Sequence, residues 1–479
     1  MTAIINLRCE YQTNPIGIGA QSPRLSWQMV SEQRGARQTA YQIRAAHDPD
    51  MQEVIWDTGK VISDQSIHIP YSGPPLNSGQ RVYWQARLWD ETDSDSGWSE
   101  PAFFEMGLLH ESDWQARWIT PDWDEDTTQS QPQPALRRAF HLNGAVKSAR
   151  VYATSLGLYE LHLNGRRVGD AVLTPGWTAY DKRLQVQTYD VTELVRPGDN
   201  AIGALLGDGW YRGWLGFERN RNTYGDRLAL LLQLVVQYAD GSTQVITSDD
   251  TWRATLGPIR MSDIYMGETY NAQMELPGWD APGYDDSAWK GVRLYAHGKH
   301  MLIPQVGPYV KRQEELKPVQ VIHTPAGEKV LDFGQNMVGW VRVTAQARAG
   351  HTLILRHAEV LDQHGNFYTA NLRAAKQTTQ YTFKGEGIET YEPRFTFMGF
   401  RYVKVEGWPD EQASELTLER ARETFTGIVV HSDIPPAGEF ECSNPLINQL
   451  QHNIVWGQKG NFVDVPTDCP QRDERLGWT

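Results

Sequence analysis

Short apolar stretches that alternate with polar residues every second position, cut by Gly, Asn, Asp and Pro, run through most of this 479-residue chain. Tyr41-Gln-Ile-Arg-Ala45, Val82-Tyr-Trp-Gln-Ala-Arg-Leu88, Ala149-Arg-Val-Tyr-Ala153, Tyr159-Glu-Leu-His-Leu163 and Leu353-Ile-Leu-Arg-His357 are examples. A period of two puts one set of side chains on each face of a strand, so each stretch predicts a half-buried strand. Many such strands with turn signals between them predict β-sandwiches. No fixed-period repeat and no low-complexity tract interrupts the pattern.

Length then demands division, because one hydrophobic core does not serve 479 residues. Residues 1–108 form a first unit, fibronectin III- or immunoglobulin-like, with Pro23-Arg-Leu-Ser-Trp27 opening a strand and Trp84 and Trp98 late in the unit. Asp122 to Pro134 is acidic and rich in Gln and Pro, as an exposed loop would be. Residues 109–300 form a second unit. In it Leu163-Asn-Gly-Arg166 places Asn-Gly between two strand-like runs, the strongest short hairpin signal. Gly207-Asp-Gly-Trp-Tyr-Arg-Gly-Trp214 reads as a shaped loop near a surface, and Asp208 as a turn residue. Residues 301–430 are again β-rich. The character changes after Pro435-Pro436. Ser443 is a predicted N-cap, Pro445 fits a first helical turn, and Leu446, Ile447, Leu450 and Ile454 recur at helical spacing to about Gly457. A helical unit, 431–479, is expected to begin there.

Composition narrows the function. Charged residues make up 22% and hydrophobic residues 40%, an ordinary globular balance. With 45 basic against 59 acidic residues the net charge is −14, which disfavours nucleic acid and anionic membrane as partners. Three cysteines, Cys9, Cys442 and Cys469, are too few and too scattered for a disulfide framework or zinc site. The N-terminus lacks a signal-peptide pattern and no apolar run is of membrane-spanning length, so a cytoplasmic location is expected. The histidines form no metal or triad spacing, and no phosphate loop follows a strand. The heavy aromatic load, 18 Trp and 20 Tyr, fills cores first, but it also suits sugar rings.

Chemistry concentrates at the end. Asp464, Asp468, Asp473 and Glu474 lie within eleven positions, with Arg472 and Arg475 interleaved and Trp478 following. Glycosidic cleavage needs one carboxyl to protonate the leaving oxygen and a second to activate water or attack carbon. Crowding by carboxylates, or burial beside Trp, raises a carboxyl pKa toward that of a general acid. A solvated, mixed-charge loop without chemistry would share this composition. Asp473 and Glu474 compete for the acid role, since neighbours on an extended segment point opposite ways.

The string Thr467-Asp-Cys-Pro-Gln-Arg-Asp-Glu-Arg-Leu-Gly-Trp-Thr479 closely resembles the signature of bacterial α-L-rhamnosidases, glycoside hydrolase family 78. Thr174-Pro-Gly-Trp-Thr-Ala-Tyr180, Gly209-Trp-Tyr-Arg-Gly213, Gly267-Glu-Thr-Tyr-Asn271 and Asp332-Phe-Gly-Gln-Asn336 resemble that family's accessory domains. The resemblance implies a mainly β chain: a fibronectin-like domain, a jelly roll and a β-sandwich, then the start of an (α/α)6 barrel. It implies inverting hydrolysis of terminal α-L-rhamnose, with rhamnose-containing glycosides as ligands. Glu474 matches the general acid and Asp468 a substrate-binding carboxylate. Arg472 and Trp478 match positions lining the rhamnose subsite. The family's general base, a Glu on a later helix, has no counterpart here, so the chain alone is expected to be inactive. No metal is expected at the catalytic site. In some family members a jelly-roll domain binds rhamnose with calcium; Asp181 and Asn222 would be candidate ligands here, with Trp177, Tyr180 and Trp210 as stacking faces, but a scaffold domain whose aromatics are buried is the favoured reading. Asp332, Gln335 and Asn336 are candidates to line the cleft from the third unit, a structural loop being the equal alternative. A non-enzymatic carbohydrate-binding protein and an (α/α)6 glycosidase of other specificity are the alternatives.

Overall fold

A computed structural model describes residues 2–216, 220–408 and 415–475. It is mainly β, as expected, and every alternating stretch quoted above lies in a strand. In the first unit, strand Arg81–Asp90 buries Val82, Trp84, Ala86 and Leu88 completely, while Arg87 turns outward over the Trp98 ring at 4.7 Å. It pairs with Gln38–Ala46 and Ala102–Met106, and a three-stranded sheet built on Thr2–Cys9 and Arg24–Ser31 supplies Leu25 and Trp27 to the same core.

In the second unit a twelve-stranded path surrounds one cluster to which both arms contribute, Val151 and Leu232 from one and Leu161 and Ile202 from the other. The Asn-Gly hairpin forms as expected: Leu163 pairs with Arg166, and Asn164 (φ 53°) and Gly165 (φ 79°) are both left-handed, as a type I′ turn requires.

A ten-stranded sheet carries the third unit, with the long strand Lys329–Ala345 at its centre, flanked by Met398–Glu406 and Phe425–Ser432. Hydrogen bonding crosses position 300 in both directions. Ile259–Asp263 and Gly267–Asn271 belong to this sheet, the latter parallel to Thr378–Thr382, while Leu302–Pro304 pairs with Leu184–Asp190 of the second unit. Large buried residues from both units therefore share one core, in which Trp210 meets Phe397 at 6.3 Å.

Two local expectations are corrected. Gly207–Trp214 is not near a surface: Gly209–Arg212 is one helical turn, fully buried, whose Arg212 pairs with Asp208 (2.8 Å) and with Glu125. A buried guanidinium needs such partners, and the Asp122–Pro134 segment supplies one of them, Glu125, while Asp122, Asp124, Asp126, Thr128 and Gln129 stay exposed as expected. Ser130 Oγ also donates to Asp208 (2.8 Å).

The helix runs Pro445–Gly460, three residues further than expected. Its N-cap is Asn444, not Ser443, because the Asn444 side-chain Oδ1 accepts from the Leu446 N–H (3.0 Å). No residue of this helix is buried. Among the described residues no helix is long and apolar enough to cross a membrane.

Candidate functional site

After the helix the chain makes a short hairpin, Phe462–Val463 with Val465–Pro466, and then a compact turn to Arg475. Pro466 and Pro470 keep the segment from continuing as helix. Four anchors hold it on the β domains.

The first anchor is Asp464. Its carboxylate accepts the Trp177 N–H (2.5 Å), and its own N–H donates to Ser432 Oγ (3.0 Å). Gly176 makes room: at φ 92°, a Cβ there would stand 2.7 Å from that carboxylate. Burial pushes the Asp464 pKa up to about 6. The second is Asp473, buried, whose Oδ2 accepts the Ala374 N–H (3.1 Å) in the third unit. The third is Tyr265, whose hydroxyl accepts from the Gly216 N–H (3.0 Å) and donates to the Glu474 carbonyl (2.7 Å). The fourth is Arg475, fully buried, lying over the Tyr265 and Phe397 rings at 5.0 and 4.7 Å and donating to Gln377 Oε1 (3.3 Å). Burial lowers the Arg475 pKa to about 10. Asp263, also fully buried beside Tyr265, is raised to about 6, chiefly by burial.

Glu474 and Asp468 lie on the same turn, and among the described residues their carboxylates make no bond to the β domains as short as those of the four anchors. Glu474 is largely buried, 8% exposed, and its carboxylate meets Arg472 at 2.5 Å and Arg373 at 3.6 Å. Asp468 is exposed, in a left-handed conformation (φ 57°), and accepts from Cys469 Sγ at 3.3 Å. Burial, with Asp468 close by, pushes the Cys469 thiol up to about 11. Asp468, Cys469 and Glu474 each place a ligand-capable atom within 4.8 Å of the others. Asp468, Arg472 and Glu474 are thus brought together, and Asp473 is turned to a structural bond. Trp478 lies outside the described residues.

The jelly-roll candidates fare differently. Tyr180 and Trp210 are 1% exposed, and Trp177 stacks on Trp210 at 6.0 Å (5° between planes). These rings form a core seam, so they are not sugar-stacking faces. Asp181 is exposed and faces Lys182 at 3.3 Å, while Asn222 donates to the Thr127 carbonyl (3.0 Å). Calcium takes six to eight oxygens. In the second unit Glu160, His162 and Asp280 do come together, but as ion-paired neighbours, with His162 bonded to Glu160 (3.1 Å) and Asp280 (2.7 Å).

In the third unit Asp332 is buried and grips Arg401 through two bonds of 2.8 Å, leaving Gln335 and Asn336 to line the cleft. Tyr265, Arg373 and Glu359 were not singled out from the sequence. Tyr265 stands two residues before the Gly267–Asn271 phrase, which marked its neighbourhood but not its role.

Comparison with known proteins accounts for almost the whole chain. Residues 4–110 match the Rha78A-like N-terminal immunoglobulin domain, and 144–314 the α-L-rhamnosidase N-terminal domain. Residues 322–431 match the bacterial α-L-rhamnosidase concanavalin-like domain, and 435–479 the six-hairpin glycosidase domain. An α-L-rhamnosidase of Streptomyces avermitilis is 37% identical over 98% of this chain and 61% of its own length; one of Formosa agariphila is 41% identical over 97% and 51%. The crystal structure of the Streptomyces avermitilis enzyme complexed with L-rhamnose superposes over 100% of this chain and 62% of that one, with TM-score 0.94 at 36% identity. That of native α-L-rhamnosidase from Aspergillus terreus covers 100% and 55%, with TM-score 0.94 at 40% identity. The chain spans about half to three-fifths of the length of these relatives. With all four domain types in order and such close superposition, the chain belongs to the bacterial α-L-rhamnosidase family, glycoside hydrolase family 78.

Proposed function

We propose that this chain carries the proton-donor side of an α-L-rhamnosidase site, which removes terminal α-L-rhamnose from rhamnosides with inversion. Glu474 is the general acid, Asp468 binds sugar hydroxyls, and Arg472 and Trp478 line the rhamnose subsite. The observation that carries this reading is a single loop that keeps Glu474 largely buried, Asp468 exposed and the two within 4.8 Å. The Streptomyces avermitilis relative, whose structure holds L-rhamnose, supports the choice of sugar.

In an inverting reaction the acid protonates the glycosidic oxygen while a base on the far face of the ring deprotonates an attacking water. That geometry needs carboxyls roughly 6.5–9.5 Å apart. Asp468 lies too near Glu474 to leave room for the water, so it grips the sugar and is not the base. Asp473 is held by the Ala374 N–H and faces away from that task. The carboxylates of this loop therefore supply one partner of the pair, and we propose that the 479-residue chain alone does not turn over. Hydrolysis of an aryl α-L-rhamnoside by that chain would overturn this.

The direct test joins this chain to the portion of the Streptomyces avermitilis relative that follows the matched region. The joined protein is expected to release β-L-rhamnose first, seen by proton NMR. Glu474→Gln is expected to lower kcat by about 10³-fold or more and Asp473→Asn by far less, within the range of a general acid's contribution plus lost positioning. Release of α-L-rhamnose, or a Glu474→Gln variant with full kcat, would refute the assignment.

A further inference from the structure

Beside the catalytic turn the third unit and the helix Pro445–Gly460 enclose a polar cleft. One cavity of about 530 Å³ lies between Gln335, Asn336, Glu359 and Arg401 on the sheet and His452 and Asn453 on the helix. A second, of about 240 Å³, continues from Asn336 and Glu359 past Trp456 to Asp468 and Cys469. Asn336 and Glu359 line both, so the two form one path that ends at the carboxylate proposed to hold rhamnose.

The walls are organised. Asn336 donates to Glu359 Oε1 (3.0 Å). Gln335 Nε2 donates to the Asn336 carbonyl (2.7 Å), and Asp332 locks Arg401 from behind. Side-chain amides, a carboxyl, a guanidinium and an imidazole thus converge on the cleft, with Trp456 along its floor. Such a mixture recognises hydroxyl groups around a ring whose faces are apolar. Burial raises the Glu359 pKa, against the opposing pull of Asn336 and Arg472. A carboxyl that holds its proton more readily can both donate to and accept from hydroxyls. None of these groups belongs to the rhamnose-binding set assigned above.

We infer that Gln335, Asn336, Glu359, Arg401 and the helix residues His452 and Asn453 form a subsite for a second, uncharged sugar, the one to which rhamnose is linked. The inference rests on the proposed rhamnosidase reading and extends it. Substrate selection beyond the rhamnose ring would then be made by the accessory sandwich rather than by the catalytic loop.

The test titrates the 479-residue chain with methyl α-L-rhamnoside and with two rhamnosyl-glucose disaccharides, rutinose and neohesperidose, by calorimetry or ligand-observed NMR. The better disaccharide is expected to bind about fivefold tighter or more than the methyl glycoside, the gain from one or two net hydrogen bonds. Asn336→Ala, Glu359→Gln and Asn453→Ala should each bring that ratio toward one. Asn336 and Asn453 are exposed, so their variants report on binding without unfolding the chain. A ratio near one in the unaltered chain, or one that survives all three substitutions, would overturn the subsite while leaving the rhamnosidase reading intact. Failure of all three ligands to bind would likewise overturn the subsite, whereas the rhamnosidase reading stands or falls with turnover by the joined protein.

Discussion

The two halves of the final 49 residues are held in opposite ways. Helix Pro445–Gly460 turns Leu446, Leu450 and Ile454 to solvent at 78%, 56% and 54% exposure, and buries none of its residues. The turn from Asp464 to Arg475 has almost no regular structure, yet Asp473, Glu474 and Arg475 are all buried in it. The helix has regular structure with little tertiary cover, its Trp456 packing against the shared core and its Lys459 pairing with Glu314, and the turn has cover with little regular structure. Regular backbone bonding satisfies a helix locally but does not orient it, because most helical stability in proteins comes from a packed face. The turn takes its shape from outside itself, from backbone N–H groups and aromatic rings on the β domains. Glu474 is therefore held in place through bonds from the β domains to its own backbone and to Asp473 and Arg475 beside it.

The sharpest way to break this contrast is at Gly176. Gly176→Val adds a side chain at φ 92° and drives it into the Asp464 carboxylate. Strain plus an unsatisfied buried carboxylate is expected to cost about 3–5 kcal/mol, read by denaturant unfolding with tryptophan fluorescence. A loss below 1 kcal/mol would mean that Asp464 does not anchor the turn. Next is Tyr265→Phe, which removes a hydroxyl bonded to both Gly216 and Glu474. About 1–3 kcal/mol is expected, with faster amide exchange confined to residues 213–216 and 472–475. Uniform loss of protection would argue for simple core damage instead.

A pH series sharpens the comparison further. The folded pKa of Asp464 is raised, so the native state holds that proton more tightly than the unfolded chain. Its contribution favours folding below about 4 and is lost as pH rises to about 6. Asp464→Asn does not titrate. The stability difference between wild type and variant should therefore shift against wild type across that window, by up to about 3 kcal/mol. A pH-independent difference would show that the carboxyl is not buried as described. The smallest effect is expected on the helix. Leu450→Glu should change stability by less than about 0.5 kcal/mol, since no packed face is lost. A larger loss would reveal cover for this face that the described residues do not provide.

Much of the architecture was legible from pattern. Every alternating stretch quoted became a strand, and Asn164-Gly165 made its turn, because period-two burial and left-handed backbone preference are written in adjacent residues. The cap moved by one residue, since Ser443 and Asn444 compete for the same role and only backbone geometry decides between them. Pattern misled where aromatics and charges met. Trp210 and Tyr180 look like surface-binding residues in isolation, but the second and third units share a core there and bury both.

The sequence alone determined the β character, the helix after Pro445 and, through the signature at Thr467–Thr479, the family. Those properties reside in local spacing or in a contiguous string. Tertiary structure alone decided that Asp464 lodges against Trp177, 287 positions away, and that Tyr265 holds the Glu474 backbone from 209 positions away. It also decided that Asn336 and Glu359 meet in one cleft leading to Asp468. Contacts of that range depend on how whole sheets pack, and no local pattern of residues encodes them.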